Sequence, residues 1–346
     1  MRVRGDIEQG LRRMLAAQPH ESLPSERDLA TRLGCARTTI RRALAGLQTS
    51  GALRRSGRVR LAHATMEQRP LLVISGDIDP DFSDRILSGV LLHGRRAGRH
   101  LLLAYLERLH PGLLAMPPAG VIRLDEQPHS GGDRLMASAA ALGLPRVELG
   151  DRPGSTADAV VSDHAAGASI LVDVLIARGC RRILQIGHAG LALRGWQDQR
   201  RQGYVEAMLR HGLKPLTPAL TAPLSSATSA SALRHAVTEM RAVLQRAWRG
   251  GACDAVMALN DHDAAIVVSA LADMSGGEST LVTGYDARWP SVPGVVAHLR
   301  PPAFTIDPGY ERIGEALTHT LLSRLEGRLP RGRQCRFIAP QVVAIA

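Results

Sequence analysis

The sequence predicts an α/β protein that begins with a winged helix-turn-helix and continues as a larger domain of two lobes with parallel sheets. Two helical patterns and an arginine-rich alternating segment occupy about the first 60 residues. From Pro70 onward, short continuous apolar segments alternate with helical patterns, which is typical of parallel strands covered on both faces. At 346 residues, the chain is long enough for two or three units.

The first helix of the predicted pair begins at Ser25. The Ser25 hydroxyl can cap this helix, and Asp28, three residues on, can answer it as in a capping box. Leu29 and Leu33 lie one turn apart and are predicted to face inward. Gly34 then ends the helix, because glycine adopts the left-handed backbone conformation without a steric penalty.

A second helix is predicted to begin near Ala36, which gives the pair helix-turn-helix spacing. Its predicted core stripe recurs at intervals of three and four residues and consists of Ile40, Ala43, Leu44 and Leu47. The opposite side is left mainly to Arg37, Thr38, Arg41 and Arg42. The second helix therefore has an apolar stripe on one side and a basic face on the other. A helical hairpin whose basic face only contacts solvent has the same pattern and is the alternative interpretation.

Two flanking segments complete the winged arrangement. Before the pair, the apolar stripe of Ile7, Leu11 and Leu15 predicts an opening helix that packs under it. After Gly51, the segment ALRRSGRVRLA alternates like a two-stranded wing. Its arginines are expected near the backbone of bound DNA; they are Arg54, Arg55, Arg58 and Arg60.

The positive charge is concentrated at the N-terminal end. Residues 1–70 contain 14 arginines and six acidic residues, a formal charge of +8 out of +11 for the whole chain. Lys214 is the only lysine. The location of the charge predicts that the N-terminal region binds double-stranded DNA.

Cysteine spacing and hydropathy argue against several other classes of protein. The four cysteines are far apart in sequence, so neither a metal site nor a disulfide framework is predicted. The N-terminus MRVRGDIEQG lacks the apolar core of a signal peptide, and no apolar run reaches the roughly 20 residues that span a bilayer. We therefore expect a cytoplasmic protein with no cofactor, no bound metal and no membrane partner.

The larger domain is predicted to hold two α/β lobes of similar size. The first, about residues 70–152, has strands at PLLVIS, HLLLA, AGVIRL and PRVEL, and the second, about 158–290, has strands at ADAVVS, RRILQIG, DAVMAL and STLVTG. The chain is expected to cross back near its C-terminus, with a helix from Tyr310 to Glu326 and one closing strand, CRFIAPQVVAI. The predicted domains are 1–66 and 67–346.

The stretches LPSERDLATRLG and RTTIRRAL and the LxxxG of Leu47 to Gly51 resemble the winged helix-turn-helix of the GntR transcription regulators. The resemblance covers about the first 60 residues and implies that the second helix enters the major groove of DNA. It implies contacts to phosphates or base edges from Arg27, Arg37, Thr38, Thr39 and Arg41, and a wing glycine at Gly57. Arginine suits this work because its fork bonds guanine bidentately or clamps a phosphate.

Residues 70–346 resemble the sensor domain of the LacI/GalR repressors, which is similar to periplasmic binding proteins (type I). The resemblance rests on VVSDHAAGASILVDVLIARGCRRILQIG, RRQGYVEAMLRHGL and DAVMALNDHDAAIVVSAL with LVTGYDA. It implies two Rossmann-like lobes joined by crossing strands, with a ligand held between them. The positions that match the family's ligand contacts are Asp77, Asp151, Arg200, Asn260, Asp261 and Asp286, and Phe82 and Trp196 lie where an aromatic ring could stack on a sugar.

Several of these residues have a structural alternative. Asp163 and Asp261 could be helix N-caps, and Phe82 and Trp196 could be packing residues. His188 and His262, near the same loops, are expected to be structural.

Together these patterns predict a ligand-responsive transcription regulator, a homodimer in which a sugar or related metabolite changes the affinity of a repressor for a two-fold operator. The alternative is an enzyme, or a sensor of a non-sugar metabolite, with an appended DNA-binding domain. A pyridoxal phosphate enzyme would need Lys214, which lies at a helix exit before proline, and P-loop, GxSxG and HExxH motifs are absent from the sequence. We therefore expect no enzyme.

Overall fold

A computed structural model describes residues 7, 10–11, 14, 23–49, 53–56, 59–62, 69–76, 80–106, 118–125, 129–150, 152–188, 195–221, 229–289 and 300–345. By contact density the chain forms two compact units. Unit 1 comprises Met1–Gly76, Gly94–Arg123 and Pro128–Arg146, and unit 2 comprises Asp77–His93, Leu124–Gln127 and Val147–Ala346. This division follows contacts, whereas the predicted boundary near residue 66 follows the sequence pattern and stays a prediction.

The N-terminal part of unit 1 contains helices α1 (Glu26–Leu33) and α2 (Arg37–Thr49) and the strands β1 (Leu53–Ser56) and β2 (Val59–Ala62). The two strands pair antiparallel, as a wing requires. One apolar cluster fills the interior and consists of Ile7, Leu11, Leu29, Ile40, Ala43, Leu44, Leu47 and Leu53. The predicted stripe on α2 is therefore confirmed as core. Leu15 of the predicted opening helix lies outside the described residues.

The rest of the chain alternates strands and helices. The helices are α3 (Pro80–Arg96), α4 (Ser130–Ala141), α5 (His164–Ala177), α6 (Gly195–Arg210), α7 (Ala230–Ala247), α8 (Asp261–Ala272) and α9 (Tyr310–Leu325). The strands are β3 (Leu71–Ser75), β4 (Leu101–Tyr105), β5 (Gly120–Arg123), β6 (Arg146–Leu149), β7 (Asp158–Ser162), β8 (Ile183–His188), β9 (Ala219–Thr221), β10 (Ala255–Met257), β11 (Leu281–Thr283), β12 (Phe304–Asp307), β13 (Cys335–Ile338) and β14 (Gln341–Ala344).

These strands form two mainly parallel six-stranded sheets, in the orders β13-β7-β6-β5-β3-β4 and β14-β12-β11-β10-β8-β9. Val256 of β10, for example, pairs with Leu184 of β8 and with Val282 of β11, all in parallel register. β12 and β14 form an antiparallel pair. The predicted fold class, an α/β protein with an N-terminal winged helix-turn-helix and parallel sheets, is confirmed.

Close helix contacts in unit 2 depend on glycine. A Cβ atom at Gly203 of α6 would lie 2.0 Å from the carbonyl oxygen of Ala165 in α5. A Cβ atom at Gly314 of α9 would lie 2.1 Å from the carbonyl oxygen of Ile86 in α3. Both distances are impossible for a side chain, so these glycines allow the helices to approach each other backbone to backbone.

The prediction of one closing strand is wrong. The segment forms two strands, β13 beside β7 and β14 beside β12, which belong to different sheets. Ala339 and Pro340 separate them, because proline fixes its φ angle and has no N–H to donate to a ladder. The sequence pattern also did not reveal β9 and β12, which are only three and four residues long.

Candidate functional site

The predicted reading face lies on α2, opposite its buried stripe. Arg37, Thr38 and Arg41 are exposed, and Thr39 is half-buried. Arg27, on α1, is also exposed. The side chains that the GntR resemblance assigns to DNA contact are therefore accessible on these two helices.

The turn between the helices is set by local chemistry. Ser25 is the N-cap of α1, and its Oγ accepts a hydrogen bond of 3.3 Å from the amide of Asp28. The same hydroxyl donates to Oδ2 of Asp28 at 2.6 Å, so the Asp28 side chain bonds the capping hydroxyl and not the backbone amide of Ser25. Gly34 follows α1 with φ 61°, in the left-handed region that favours glycine.

Arg41 has an acidic partner on α1. Its Nε and Nη2 atoms both donate to Oε2 of Glu26, at 3.2 and 3.0 Å. The Glu26 side chain is 15% exposed and the Arg41 side chain 66%. This pair joins the first helix to the predicted reading face.

The wing is described only in its strands. Ser56 of β1 pairs with Val59 of β2 in antiparallel register. Gly57 and Arg58, both predicted to contact DNA, lie outside the described residues.

A second group of predicted site residues meets in unit 2, around the buried guanidinium of Arg200. This residue is 5% exposed. Its Cζ atom lies 4.5 Å from the ring centre of Trp196 and 3.4 Å from that of Tyr285, so it stacks against both rings. Arg200 also donates through Nη1 to the carbonyl oxygen of Leu259.

Asp286 is the acidic partner in this group. Its Oδ1 accepts from Nη2 of Arg200 at 3.3 Å and from the hydroxyl of Tyr310 at 2.7 Å. Its backbone carbonyl accepts from Nη1 of Arg85 at 3.1 Å. The φ angle of Asp286 is 94°, which is costly for a residue with a side chain and is held by these contacts.

His164 completes the group and is neutral. Burial, and then the charge of Arg200, lower its pKa well below the usual range. Nε of Arg200 lies 3.4 Å from Nδ1 of His164, and the hydroxyl of Tyr285 lies 3.3 Å from the same atom. Burial also raises the pKa values of Tyr285 and Tyr310, so both phenols remain protonated.

Asp261 and Asn260 anchor the neighbouring backbone. Asn260 is the N-cap of α8 and accepts from the amide of Asp263 at 2.7 Å. Asp261 is fully buried and accepts from the amides of Arg288 and Trp289 at 2.6 and 3.1 Å, and from the hydroxyl of Thr305 at 2.7 Å. Burial raises the pKa of Asp261 to about 6, and the nearby charge of Asp286 adds to that rise.

The structure therefore brings Trp196, Arg200 and Asp286 into one network. Asp77 and Asp151 lie outside the described residues, as does the side chain of Phe82 on α3. Asp163 is the N-cap of α5, where its side chain accepts from the amide of Ala166.

Sequence reasoning did not single out four members of the network: His164, Tyr285, Tyr310 and Arg85. Tyr285 lies in the GYD motif that identified Asp286, so its position was available as a signal. Arg85 and Tyr310 come from α3 and α9, far apart in sequence, and no spacing rule links them.

Among the described residues, no cluster of His, Cys, Asp and Glu could hold a metal ion. None of the described helices is both long and apolar enough to cross a membrane.

Two family models match the chain. One, described as periplasmic binding protein-like domain, matches residues 172–344. The other, described as bacterial regulatory proteins of the gntR family, matches residues 3–61. A comparison with curated proteins found no match.

Solved structures share the fold. The complex of the transcriptional regulator CelR with cellobiose is 20% identical over 93% of this chain and 99% of that chain, with a TM-score of 0.61. The lac repressor dimer bound to operator and the anti-inducer ONPF is 18% identical over 89% and 88%, with a TM-score of 0.60. A periplasmic binding protein/LacI transcriptional regulator from Alkaliphilus metalliredigens, in complex with D-xylulofuranose, is 16% identical over 81% and 100%, with a TM-score of 0.58.

A winged helix-turn-helix with exposed arginines, followed by two mainly parallel sheets with a buried polar network, defines a DNA-binding transcription regulator with a periplasmic binding protein-like domain. The chain belongs to the periplasmic binding protein-like family, and its N-terminal region is a winged helix-turn-helix of the GntR type. In the function proposed below, the region matched at residues 3–61 is called the reader and the periplasmic binding protein-like region is called the sensor.

Proposed function

We propose that the protein is a repressor that binds a two-fold operator as a homodimer and changes its operator affinity when a sugar or related polyol binds the sensor. The observation that carries the DNA-binding half is the exposure of Arg37 and Arg41 on α2 above a fully buried apolar stripe. A cytoplasmic location follows from the DNA partner. Two half-sites would lie about one helical turn, or a multiple, apart.

For the reader, we propose direct contacts from Arg27, Arg37, Thr38, Thr39, Arg41, Gly57 and Arg58. The exposed guanidinium groups suit guanine edges and phosphates, and the threonine hydroxyls suit phosphates or bases. The wing would add backbone contacts that do not depend on sequence.

For the sensor, we propose that the effector binds where Trp196, Arg200 and Asp286 meet, with further contacts from Asp77, Phe82, Asp151, Asn260 and Asp261. An arginine beside a carboxylate offers donors and acceptors to neighbouring hydroxyl groups of a polyol. The 3.3 Å separation between Nη2 of Arg200 and Oδ1 of Asp286 is long for a charge-assisted hydrogen bond, so a ligand hydroxyl can compete for both.

The network also offers a route by which the effector acts on the fold. Asp286 is tied to Tyr310 on α9 and, through its carbonyl, to Arg85 on α3. A ligand that rearranges Asp286 would therefore bias both helices. Coupling between two such sites is typically about 1 to 3 kcal/mol, so we expect the effector to change operator affinity by about 5- to 150-fold.

We propose further that the sensor binds its effector without converting it. The GntR match supports this, since it places a DNA reader on the same chain. An effector recovered unchanged after prolonged incubation with the protein would agree with binding alone, and turnover would contradict it.

The test begins with the selection of duplexes from a random DNA library by the full-length protein. Fluorescence anisotropy then compares the selected duplex with a scrambled one at physiological salt, with sugars, polyols and nucleosides added singly. We expect tight binding to the selected duplex and a change in Kd with one sugar or polyol. Failure to enrich any sequence would overturn the regulator, and a response to a nucleoside alone would overturn the proposed effector class.

A further inference from the structure

The salt bridge between Glu26 and Arg41 connects a residue without an assigned role to a predicted DNA contact. Glu26 is the first residue of α1, directly after the N-cap Ser25. Its carboxylate is largely covered, whereas Arg41 stays mostly exposed. The inference drawn from this pair rests on the proposed binding of DNA by α2.

The geometry of the pair leaves one edge of the guanidinium for DNA. A guanidinium group can present two donor pairs, Nε with Nη2 along its side and Nη1 with Nη2 at its end. Glu26 takes the side pair through a single oxygen, Oε2. Nη1 of Arg41 has no partner among the described residues, so the end pair can face a guanine edge or a phosphate bidentately.

We infer that Glu26 is a positioning residue that holds Arg41 in the orientation for reading DNA. A free arginine side chain loses rotamer freedom when it binds, and a carboxylate that already fixes the side chain reduces that loss. Glu26 itself is well placed, since a negative charge in the first turn of a helix is favoured by the helix dipole. Glu26 thus raises specific affinity although it adds a negative charge to a DNA-binding surface.

Loss of the Glu26 charge and loss of its positioning of Arg41 predict opposite changes in DNA affinity, so one substitution distinguishes them. If Glu26 acted only through its charge, Glu26→Gln would strengthen binding to every duplex, because a negative charge near the phosphates is removed. If Glu26 positions Arg41, Glu26→Gln weakens binding to the selected duplex while binding to a scrambled duplex stays the same or strengthens. We expect a loss of about 2- to 12-fold on the selected duplex.

In the full-length protein, Glu26→Asp separates the effect of side-chain length from the effect of charge. It keeps the negative charge in the first turn of α1, but its side chain is one methylene shorter and does not reach the Arg41 fork. We expect a similar loss on the selected duplex and unchanged binding to the scrambled one. The thermal unfolding midpoint of each variant is measured alongside, and Glu26→Asp carries the test if Glu26→Gln does not fold.

A double-mutant cycle with Arg41→Ala shows whether Glu26 acts through Arg41. In the Arg41→Ala background, Glu26→Gln should change the Kd for the selected duplex by less than about 2-fold. In the wild-type background, Glu26→Gln should also relax the preference at one base pair when each position of the selected duplex is varied in turn.

Three results would overturn the inference while the proposed function stands: stronger binding of the selected duplex by Glu26→Gln, unchanged binding, or a loss that persists without Arg41. The last result would give Glu26 a contact of its own. If the wild-type protein enriches no duplex, the proposed function fails and the inference fails with it.

Discussion

The reader and the sensor network both depend on arginine, but they use it in opposite environments. Arg41 on the reader has a side chain that is 66% exposed and held at one edge, whereas the side chain of Arg200 in unit 2 is 6% exposed and has hydrogen-bond or ring partners around it. An exposed arginine is available to phosphates and bases at little cost to the fold. A buried arginine must be satisfied by its own chain, so it organises the groups around it. Removing each arginine should therefore affect a different property.

The largest expected effect is the loss of stability caused by Arg200→Ala. Removal of the buried guanidinium leaves Asp286, His164 and the carbonyl of Leu259 short of a partner, so the free energy of unfolding should fall by about 3 to 5 kcal/mol. Chemical denaturation measures the change. Arg201→Ala is the matched control, since Arg201 is the next residue and is exposed; we expect a change within about 0.5 kcal/mol.

Equal losses of unfolding free energy in Arg200→Ala and Arg201→Ala would contradict the proposed difference between buried and exposed arginine. The response of operator binding to the effector should also be lost in Arg200→Ala and kept in Arg201→Ala. A retained response in Arg200→Ala would remove Arg200 from the proposed effector site.

The next largest expected effect is a pH dependence of the free energy of unfolding, which arises from Asp261 in the sensor. The pKa of Asp261 is raised from 3.8 to about 6 because the carboxyl group is buried. A raised pKa means that the folded protein binds the proton more tightly, so the stabilisation is complete below pH 3.8 and is lost as the pH rises through about 6. Its size is on the order of 2 to 3 kcal/mol.

Asp261→Asn should therefore flatten the pH dependence of unfolding between pH 3.8 and 6. Denaturant unfolding of both proteins across this range measures the difference. Parallel profiles for wild type and Asp261→Asn would show that the burial of Asp261 does not set the pH response.

For the reader, Arg41→Ala should weaken binding to the selected duplex by about 5- to 150-fold, because a bidentate base contact is worth about 1 to 3 kcal/mol. The free energy of unfolding should change by less than about 1 kcal/mol, since the Arg41 side chain that is removed is mostly exposed. Arg246→Ala controls for the loss of one exposed positive charge elsewhere on the chain. Unchanged DNA affinity in Arg41→Ala would exclude Arg41 from the reading face.

The smallest expected effect is on the helix cap of the reader. Ser25→Ala removes the hydroxyl that caps α1, and we expect a loss of about 1 kcal/mol in the stability of the reader. Ser138→Ala, in the exposed middle of α4, removes a hydroxyl that caps nothing and should be nearly neutral. Hydrogen exchange of the amides of α1 would report the change, and equal protection in both variants would contradict it.

The sequence alone determined the reader because its signals are local. The cap at Ser25, the left-handed glycine at Gly34 and the apolar stripe from Ile40 to Leu47 each depend on residues within a few positions. The alternation of apolar strands and helices likewise determined the parallel sheets. Short strands such as β12 escaped notice, because four residues carry too little periodicity to distinguish them from a loop.

Only the tertiary structure decided the composition of the sensor network. The resemblance pointed to Arg200 and Asp286, but their meeting with Tyr310 and Arg85 depends on helices more than 200 residues apart in sequence. The tertiary structure also showed that both carboxylate oxygens of Asp261 accept hydrogen bonds from the protein's own backbone and side chains. Local patterns fix elements because hydrogen bonding and periodicity act over a few residues, whereas burial, pKa and partner choice arise only when distant elements pack together.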